Sequence, residues 1–329
     1  MRLALGFNPA LPVTDVVKIA AKAEAAGHES IWMHESLFQR DIVTYLSSIL
    51  NATSKLKAAS GVINTYTRHP VVAATTFATL SELSSGRAIM GLGLGSFPTI
   101  PKIGMRIFPV KETRPVQRIR EYVELTKALW SGENINFHGE FFKAENLQLG
   151  FKLAQKIPIY LAGLSPELLE FAGKSADGAL LSPALATVEA TKRMSSEVHV
   201  GEASANRKVD KASYIMTSMD PNENTAREAM KGFYFFLFQL SEVIKPQDLE
   251  PYGVTVEQLA PLKAAWKKGD IAGAKRCVPN EAVEALTLTG KKETVQKRLE
   301  EYQSAGVDLP IIMPIGNVDY AISALSPKN

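Results

Sequence analysis

The sequence has only one cysteine, no long block of charges of one sign and no long hydrophobic run. Because Cys277 has no second thiol in the chain, an internal disulfide and a cluster of thiolate metal ligands are both excluded. The 37 basic and 34 acidic residues are interspersed and give a net charge of +3, without the basic footprint that binds a phosphate backbone. The most apolar run, residues 233–238, is far too short to cross a bilayer, and no basic leader with an apolar core precedes the first strand. We therefore expect a soluble, cytoplasmic protein that binds neither nucleic acid nor a membrane.

Several catalytic signatures are also missing. The five histidines show no HxH or HExxH spacing, so we expect no metal site. There is no GxSxG nucleophile elbow and no evident nucleophilic cysteine. The composition, 46% hydrophobic and 22% charged, is typical of a globular protein, and 329 residues suffice for one large α/β domain or two smaller ones.

What the sequence does contain is a regular alternation of strand-like and helix-like segments. Eight apolar strand segments are each followed by a helical pattern. They span residues 3–7, 29–34, 57–63, 87–93, 157–162, 178–181, 212–219 and 309–314. Strands that alternate with helices pair in parallel, so this count predicts a (β/α)8 TIM barrel. A doubly wound two-domain fold fits less well, because no linker or shift in composition divides the chain.

Two insertions interrupt the alternation. The first, at about residues 133–150, alternates polar and apolar residues around His138-Gly139 and predicts a β-hairpin. The second, at about residues 244–280, carries short helical pieces and follows a long apolar helix predicted over residues 222–243. We expect a single domain over residues 1–329 that includes both insertions.

The segment 57–70, KAASGVINTYTRHP, is the centre of the expected site. Here a strand ends in a polar loop that leads into a helix, and in a parallel barrel ligands bind at the carboxyl ends of the strands. Gly61 lies inside the strand and indicates either close approach of a ligand or an ordinary glycine bulge. Tyr66, Thr67 and Arg68 are candidates to contact an anionic substrate, although Arg68 alternatively pairs with a carboxylate.

The end of the second strand offers further candidates. Glu35, between His34 and Ser36, is a candidate general acid or base. The alternative for His34 is a buried, hydrogen-bonded histidine of the core.

Glycines mark the fourth strand. GLGLGS, residues 91–96, has neither the GxGxxG spacing nor the following helix of a dinucleotide-binding fingerprint. Gly93 and Gly95 leave room either for a flat ring or for tight packing of a neighbouring backbone.

A predicted helix begins shortly after the fifth strand. Ser165 is a good N-cap and Pro166 a good first helical residue, so free N–H groups at this end are suited to phosphate. Gly178, at the start of the next strand, would let a phosphate approach the backbone. The alternative is ordinary helix capping.

These motifs resemble the bacterial-luciferase-like superfamily and, within it, the deazaflavin-dependent methylenetetrahydromethanopterin reductases. The resemblance rests on GVINTYTRHP (61–70), SSGRAIMGLGLG (84–95), IPIYLAGLSPELLEFAGKSADGALL (157–181) and PIG (314–316), in consistent order over nearly the whole chain. It implies a luciferase-like TIM barrel, a homodimer or higher homo-oligomer, that holds coenzyme F420 or, alternatively, FMN. The implied reaction is hydride transfer between the deazaflavin and a small organic substrate, such as 5,10-methylenetetrahydromethanopterin or a related methylene-pterin.

The resemblance also implies site residues. A cis non-prolyl bond behind the ring maps to Gly61-Val62, with Ile63 and Asn64 beside it, and the catalytic carboxylate maps to Glu35. The remaining implied cofactor contacts are Ser36, Gly93, Gly95, Ala162, Gly163, Leu164, Ser165, Gly178 and Ala179.

Two positions depart from the family pattern. Gly6 stands where the reductases of methanogens carry a glutamate that is expected to handle the pterin nitrogen, and Glu35-Ser36 stands where they have Asp-His. Glu35 keeps a carboxylate, whereas Gly6 removes one. We therefore expect an F420-dependent oxidoreductase, and the alternatives are an FMN-dependent luciferase-like monooxygenase and a non-catalytic flavin-binding protein.

Overall fold

A computed structural model describes residues 1–36, 38–95, 114–181 and 187–328. The strands are β1 (Ala4–Phe7), β2 (Ser30–Met33), β3 (Lys57–Ser60), β4 (Ile63–Asn64), β5 (Ala88–Gly93), β6 (Ile135–His138), β7 (Lys143–Leu147), β8 (Ile159–Ala162), β9 (Gly178–Leu181), β10 (Asp210–Met219), β11 (Leu288–Gly290) and β12 (Leu309–Ile315). The α-helices are α1 (Val13–Ala26), α2 (Ile42–Ala52), α3 (Pro70–Ser84), α4 (Pro115–Trp130), α5 (Pro166–Ser175), α6 (Val188–Ser204), α7 (Glu223–Lys231), α8 (Tyr234–Phe238), α9 (Val256–Lys267), α10 (Ile271–Arg276), α11 (Asn280–Leu286), α12 (Lys292–Ser304) and α13 (Val318–Ala324).

The predicted fold class is confirmed. The parallel strands follow the order β11-β10-β12-β1-β2-β3-β5-β8-β9, with β4 beside β5, and form the barrel of a (β/α)8 fold. The predicted hairpin is also present, because β6 and β7 pair antiparallel. None of the helices in the described ranges is long and apolar enough to span a membrane.

The described residues divide by contact density into two units. One comprises residues 1–5, 181, 187–196 and 211–328, and the other residues 6–36, 38–95, 114–180 and 197–210. The predicted catalytic and cofactor-binding residues all belong to the second unit.

Helix α1 illustrates how the sequence pattern produces the helix packing in that second unit. Val16, Ala20 and Ala23 recur at helical spacing and are buried, whereas the other face of the helix is charged. Gly27 ends the helix with φ of 89°, a left-handed conformation that glycine adopts without steric cost. The chain can then turn directly into β2.

Two of the predictions for the first unit are wrong. The long helix expected over residues 222–243 is broken into α7, α8 and a π-helical turn at Gln239–Val243. Gly232 ends α7, and Phe233 takes an extended conformation (φ −75°, ψ 115°) that lets Phe236 and Leu237 enter the core. Helix propensity is overridden here by the burial of aromatic side chains.

The second correction is a missed strand. The helix predicted over residues 281–288 ends at Leu286, and β11 follows it. Its residues pair in parallel with Thr217–Met219 of β10. A three-residue strand is too short to show a periodic pattern in the sequence.

Candidate active site

The third barrel strand is interrupted at its carboxyl end. Ala59 pairs with Ile89 and Ile63 pairs with Leu92, so four steps along this strand (63 − 59) match three along β5 (92 − 89). The extra residue makes a bulge, which contains the cis peptide bond Gly61-Val62 and leaves both residues half-buried. The bulge and the cis bond that the resemblance placed here are both confirmed.

Ser60 compensates for the interrupted strand pairing. Its Oγ donates to the carbonyl oxygen of Gly91 at 2.8 Å and accepts from the Gly91 N–H at 2.8 Å. Both residues are buried, so one hydroxyl satisfies two backbone groups that would otherwise lack partners. A Cβ on Gly91 would lie 2.0 Å from the Ser60 carbonyl oxygen, so only glycine fits there.

Gly93 is tightly packed as well, which was one of the two alternatives for the glycines of this strand. A Cβ at this position would lie 2.8 Å from Cγ2 of Val62 and 3.5 Å from Cβ of Ala162. The space beside Gly93 is therefore filled by the bulge itself rather than left free for a ring. Gly95 has φ of 76° and is exposed, and Ser96 of the same motif lies outside the described residues.

Glu35 lies at the centre of a hydrogen-bonded group at the barrel mouth. Its side chain is 8% exposed, and its Oε1 accepts from Nε of Arg68 at 2.8 Å. Arg68 also donates to Oδ2 of Asp41 at 2.9 Å. Burial lowers the pKa of the Arg68 guanidinium, but hydrogen bonds and charges of Glu35 and Asp41 outweigh it, so the pKa is raised. The alternative considered for Arg68, pairing with carboxylates, is thus the observed one.

Asn64 connects Glu35 to the following loop. Its Nδ2 donates to Oε2 of Glu35 at 3.0 Å and to Oγ1 of Thr67 at 2.7 Å. Its Oδ1 accepts from the N–H groups of Tyr66 at 3.0 Å and Thr67 at 2.9 Å. These four bonds use the whole capacity of the amide. Asn64 therefore fixes the loop and the carboxylate, and only its backbone is left to contact a ligand.

His34 precedes this carboxylate and is half-buried. Its backbone N–H donates to the carbonyl oxygen of Phe7 at 2.9 Å, and burial lowers the pKa of its imidazole to about 4. The side chain is therefore neutral near pH 7. Ser36 follows Glu35, is also half-buried, and its carbonyl oxygen accepts from the N–H of Gln39 at 3.1 Å.

The depressed pKa of His34 predicts a pH dependence of stability. Below about pH 6.5 the unfolded chain binds a proton at His34 that the folded protein binds only near pH 4. The free energy of unfolding should therefore decrease as the pH is lowered from about 6.5 to about 4, by up to about 3 kcal/mol. Urea unfolding at pH 6.5 and pH 5 would measure this. The variant His34→Asn should show a smaller loss between the two values, and an equal loss would contradict the assignment.

The start of α5 offers exposed backbone at the same end of the barrel. Ala162 and Gly163 are half-buried, whereas Leu164 and Ser165 are exposed. Oγ of Ser165 accepts from the N–H of Leu168 at 3.3 Å, which confirms the predicted N-cap. Such a helix start attracts anions, because its free N–H groups and the helix dipole both favour negative charge.

Gly178 and Ala179 lie beside β8, the strand that leads into this helix start, and Ala179 pairs with Leu161. Tyr160 pairs with Gly178, and Ala162 pairs with Leu180, so Gly178 lies two positions towards the amino end of the sheet. A Cβ on Gly178 would lie 2.3 Å from Cε1 of Tyr160. This glycine therefore makes room for the aromatic ring of Tyr160. Sequence spacing alone could not reveal the register.

The remaining candidates do converge. They lie at the carboxyl ends of β2, β3–β4, β5 and β8, which are consecutive in the sheet. Ser60 was missed from the sequence, because its partner Gly91 is distant in the chain. The assembled groups are a half-buried bulge, a fixed carboxylate and an anion-attracting helix start. This set fits a flat, phosphate-bearing cofactor beside a reacting carboxylate.

The chain is similar in sequence and in structure to known proteins. The family described as luciferase-like monooxygenase matches residues 4–309. The chain is 31% identical to the 5,10-methylenetetrahydromethanopterin reductase of Methanopyrus kandleri, covering 92% of this chain and 90% of that one. It is 27% identical to the enzyme of the same name from Archaeoglobus fulgidus, covering 96% and 94%. A solved coenzyme F420-dependent tetrahydromethanopterin reductase from M. kandleri superimposes with a TM-score of 0.88 at 26% identity, over 99% of this chain and 97% of that one.

Proposed function

Because the chain belongs to the luciferase-like monooxygenase family, we propose that it is a coenzyme F420-dependent oxidoreductase. It transfers a hydride between the deazaflavin and a small organic substrate. The observation that carries this proposal is the similarity to F420-dependent reductases over at least nine-tenths of both chains.

The described residues fit the cofactor. The half-buried bulge at Gly61-Val62 would support a flat ring, and Ile63 follows it in the buried strand. The backbone of the half-buried Gly163 and of the exposed Leu164 and Ser165 would receive a phosphate at the start of α5. When bound, F420 supplies a ring that carries two electrons and a proton as one hydride.

Glu35 is the proposed catalytic residue. Arg68 and Asn64 each donate to a different oxygen of its carboxylate, which fixes the orientation of the group. Each carboxylate oxygen has a second lone pair and can accept a proton from the substrate or return one to it. A fixed, largely water-shielded carboxylate also stabilises positive charge on a substrate nitrogen.

The proposed substrate is 5,10-methylenetetrahydromethanopterin or a related methylene-pterin. The names of two relatives that match most of the chain support it. Gly6 is buried in β1 and contributes no carboxylate, so Glu35 would act without a second acidic group from that strand.

Two further properties belong to the proposal. A homodimer is supported by exposed apolar side chains on α3, where Val72 is 54% and Leu83 is 52% exposed. A cytoplasmic location is supported by the single cysteine, which suits a reducing compartment.

Fluorescence titration of the cofactor-free protein tests the cofactor. F420 should bind tightly and FMN weakly, and a deazaflavin lacking the phosphate should bind at least tenfold more weakly than F420. Consumption of reduced F420 should then depend on added methylene-pterin. Preference for FMN would instead favour an oxygen-using monooxygenase, and binding of neither cofactor would overturn the proposal.

A further inference from the structure

Arg118, in the first turns of α4, carries a charge to which the proposed function gives no role. Its guanidinium carbon lies 4.6 Å from the ring centroid of Phe141, 4.8 Å from that of Tyr66 and 5.3 Å from that of Phe142. Its buried Nε has no hydrogen-bond partner within the described ranges. Three aromatic rings therefore surround this cation, and such contacts strengthen when water is excluded.

Two of the three rings belong to the turn of the β6–β7 hairpin, which Glu121 fixes to α4. The buried Glu121 carboxylate accepts from the N–H groups of Glu140 at 3.0 Å, Phe141 at 2.8 Å and Phe142 at 3.3 Å. Arg118 lies three residues before Glu121, and residues at this spacing share a helix face. Arg118 and the hairpin turn are thus held together.

The third ring belongs to the loop that is hydrogen-bonded to the catalytic group, Glu35. The N–H of Tyr66 donates to Oδ1 of Asn64, whose Nδ2 donates to Glu35, each at 3.0 Å. A second contact joins the same parts, since the rings of Phe142 and His69 meet edge to face with centroids 5.4 Å apart. The hairpin therefore meets the loop directly at His69, and through Arg118 of α4 it also meets Tyr66.

We propose that Arg118 is a positioning residue that braces the loop of residues 64–69 against the hairpin turn. Through Asn64 this bracing sets the orientation of Glu35. The effect on turnover rests on the proposed function, whereas the bracing of the loop does not. The first insertion, which contains the β6–β7 hairpin, then supports the active site.

Hydrogen exchange of the variant Arg118→Met tests the bracing without any assay of activity. Arg120→Met is the matched control, because Arg120 lies on the same helix, stacks on the ring of Phe171 at 4.9 Å and has a buried Nε that also lacks a partner in the described part of the chain. Amides in a peptide covering residues 64–69 should exchange at least tenfold faster in Arg118→Met than in the control. Equal exchange in the two variants would overturn the proposal.

Kinetics of the same variants test the consequence for Glu35. In Arg118→Met, kcat should fall about tenfold or more while the Kd for F420 and the KM stay within threefold of wild type. Arg118→Lys should recover part of kcat, and the double variant Arg118→Met/Tyr66→Leu should be no slower than the slower single variant. A loss confined to Kd or KM would mean that Arg118 contacts a ligand, and would overturn the positioning role. If the wild type does not bind F420, the proposed function fails, and the exchange comparison still decides whether Arg118 braces the loop.

Discussion

Gly91→Ala is expected to lower the free energy of unfolding by about 3 kcal/mol, a large effect for one added methyl group. The new Cβ would lie 2.0 Å from the carbonyl oxygen and 3.1 Å from the carbonyl carbon of Ser60. These are backbone atoms of the neighbouring strand, so relief requires the strands to separate. Separation would also break the two hydrogen bonds between Ser60 and Gly91. Urea unfolding, monitored by circular dichroism, measures the loss.

The same substitution should reach the cofactor, because the Cβ would also lie 3.1 Å from Cγ1 of Val62 in the bulge. We expect F420 to bind at least tenfold more weakly to Gly91→Ala. Gly150→Ala is the control, since a Cβ there has no atom within 4 Å and the residue is exposed. Equal stability of the two variants would show that the β3–β5 pairing tolerates a side chain and would contradict the packing described for the glycine-rich strand.

Glu35→Gln is expected to lower kcat about 100-fold, the range of a lost general acid or base. The amide keeps the shape of the carboxylate and can still accept from Arg68 or Asn64, so the loop should remain in place. The Kd for F420 should therefore change by no more than a few-fold. Stopped-flow measurement of hydride transfer in a single turnover separates the chemical step from product release.

Asp41→Asn is the control for that experiment. Asp41 is the other carboxylate partner of Arg68, and its side chain is 52% exposed. An exposed ion pair contributes little, so this variant should retain kcat within a few-fold. If Glu35→Gln were as active as Asp41→Asn, Glu35 would be a structural partner of Arg68 and would have no part in the chemistry.

Much of the fold could be predicted from local patterns. The apolar spacing of Val16, Ala20 and Ala23 and the terminal Gly27 are enough to define α1 and its buried face. The same logic holds for the hairpin around His138-Gly139. It failed at Phe233, where three-dimensional packing outweighs the helical pattern that the surrounding aromatic residues suggest.

Parts of the candidate site were predicted for the right physical reason and parts were not. Ser165 and Pro166 identify a helix start through local stereochemistry alone. Gly178 was assigned to the same site as Ser165 because a glycine lets a phosphate approach the backbone and because the family resemblance maps to this position. The register of β8 with β9 places Gly178 beside Tyr160, and register depends on side-chain packing across strands.

Periodicity, turn chemistry and short motifs in the sequence were enough to predict a parallel barrel and the family that the chain resembles. The roles of the polar and glycine residues could be assigned only from contacts in the folded protein. Arg68 pairs with Glu35 and Asp41, Asn64 links Glu35 to the loop that follows β4, and the space beside Gly93 is filled by Val62. Each of these roles depends on contact between residues far apart in the chain, and such contacts cannot be predicted from local sequence patterns.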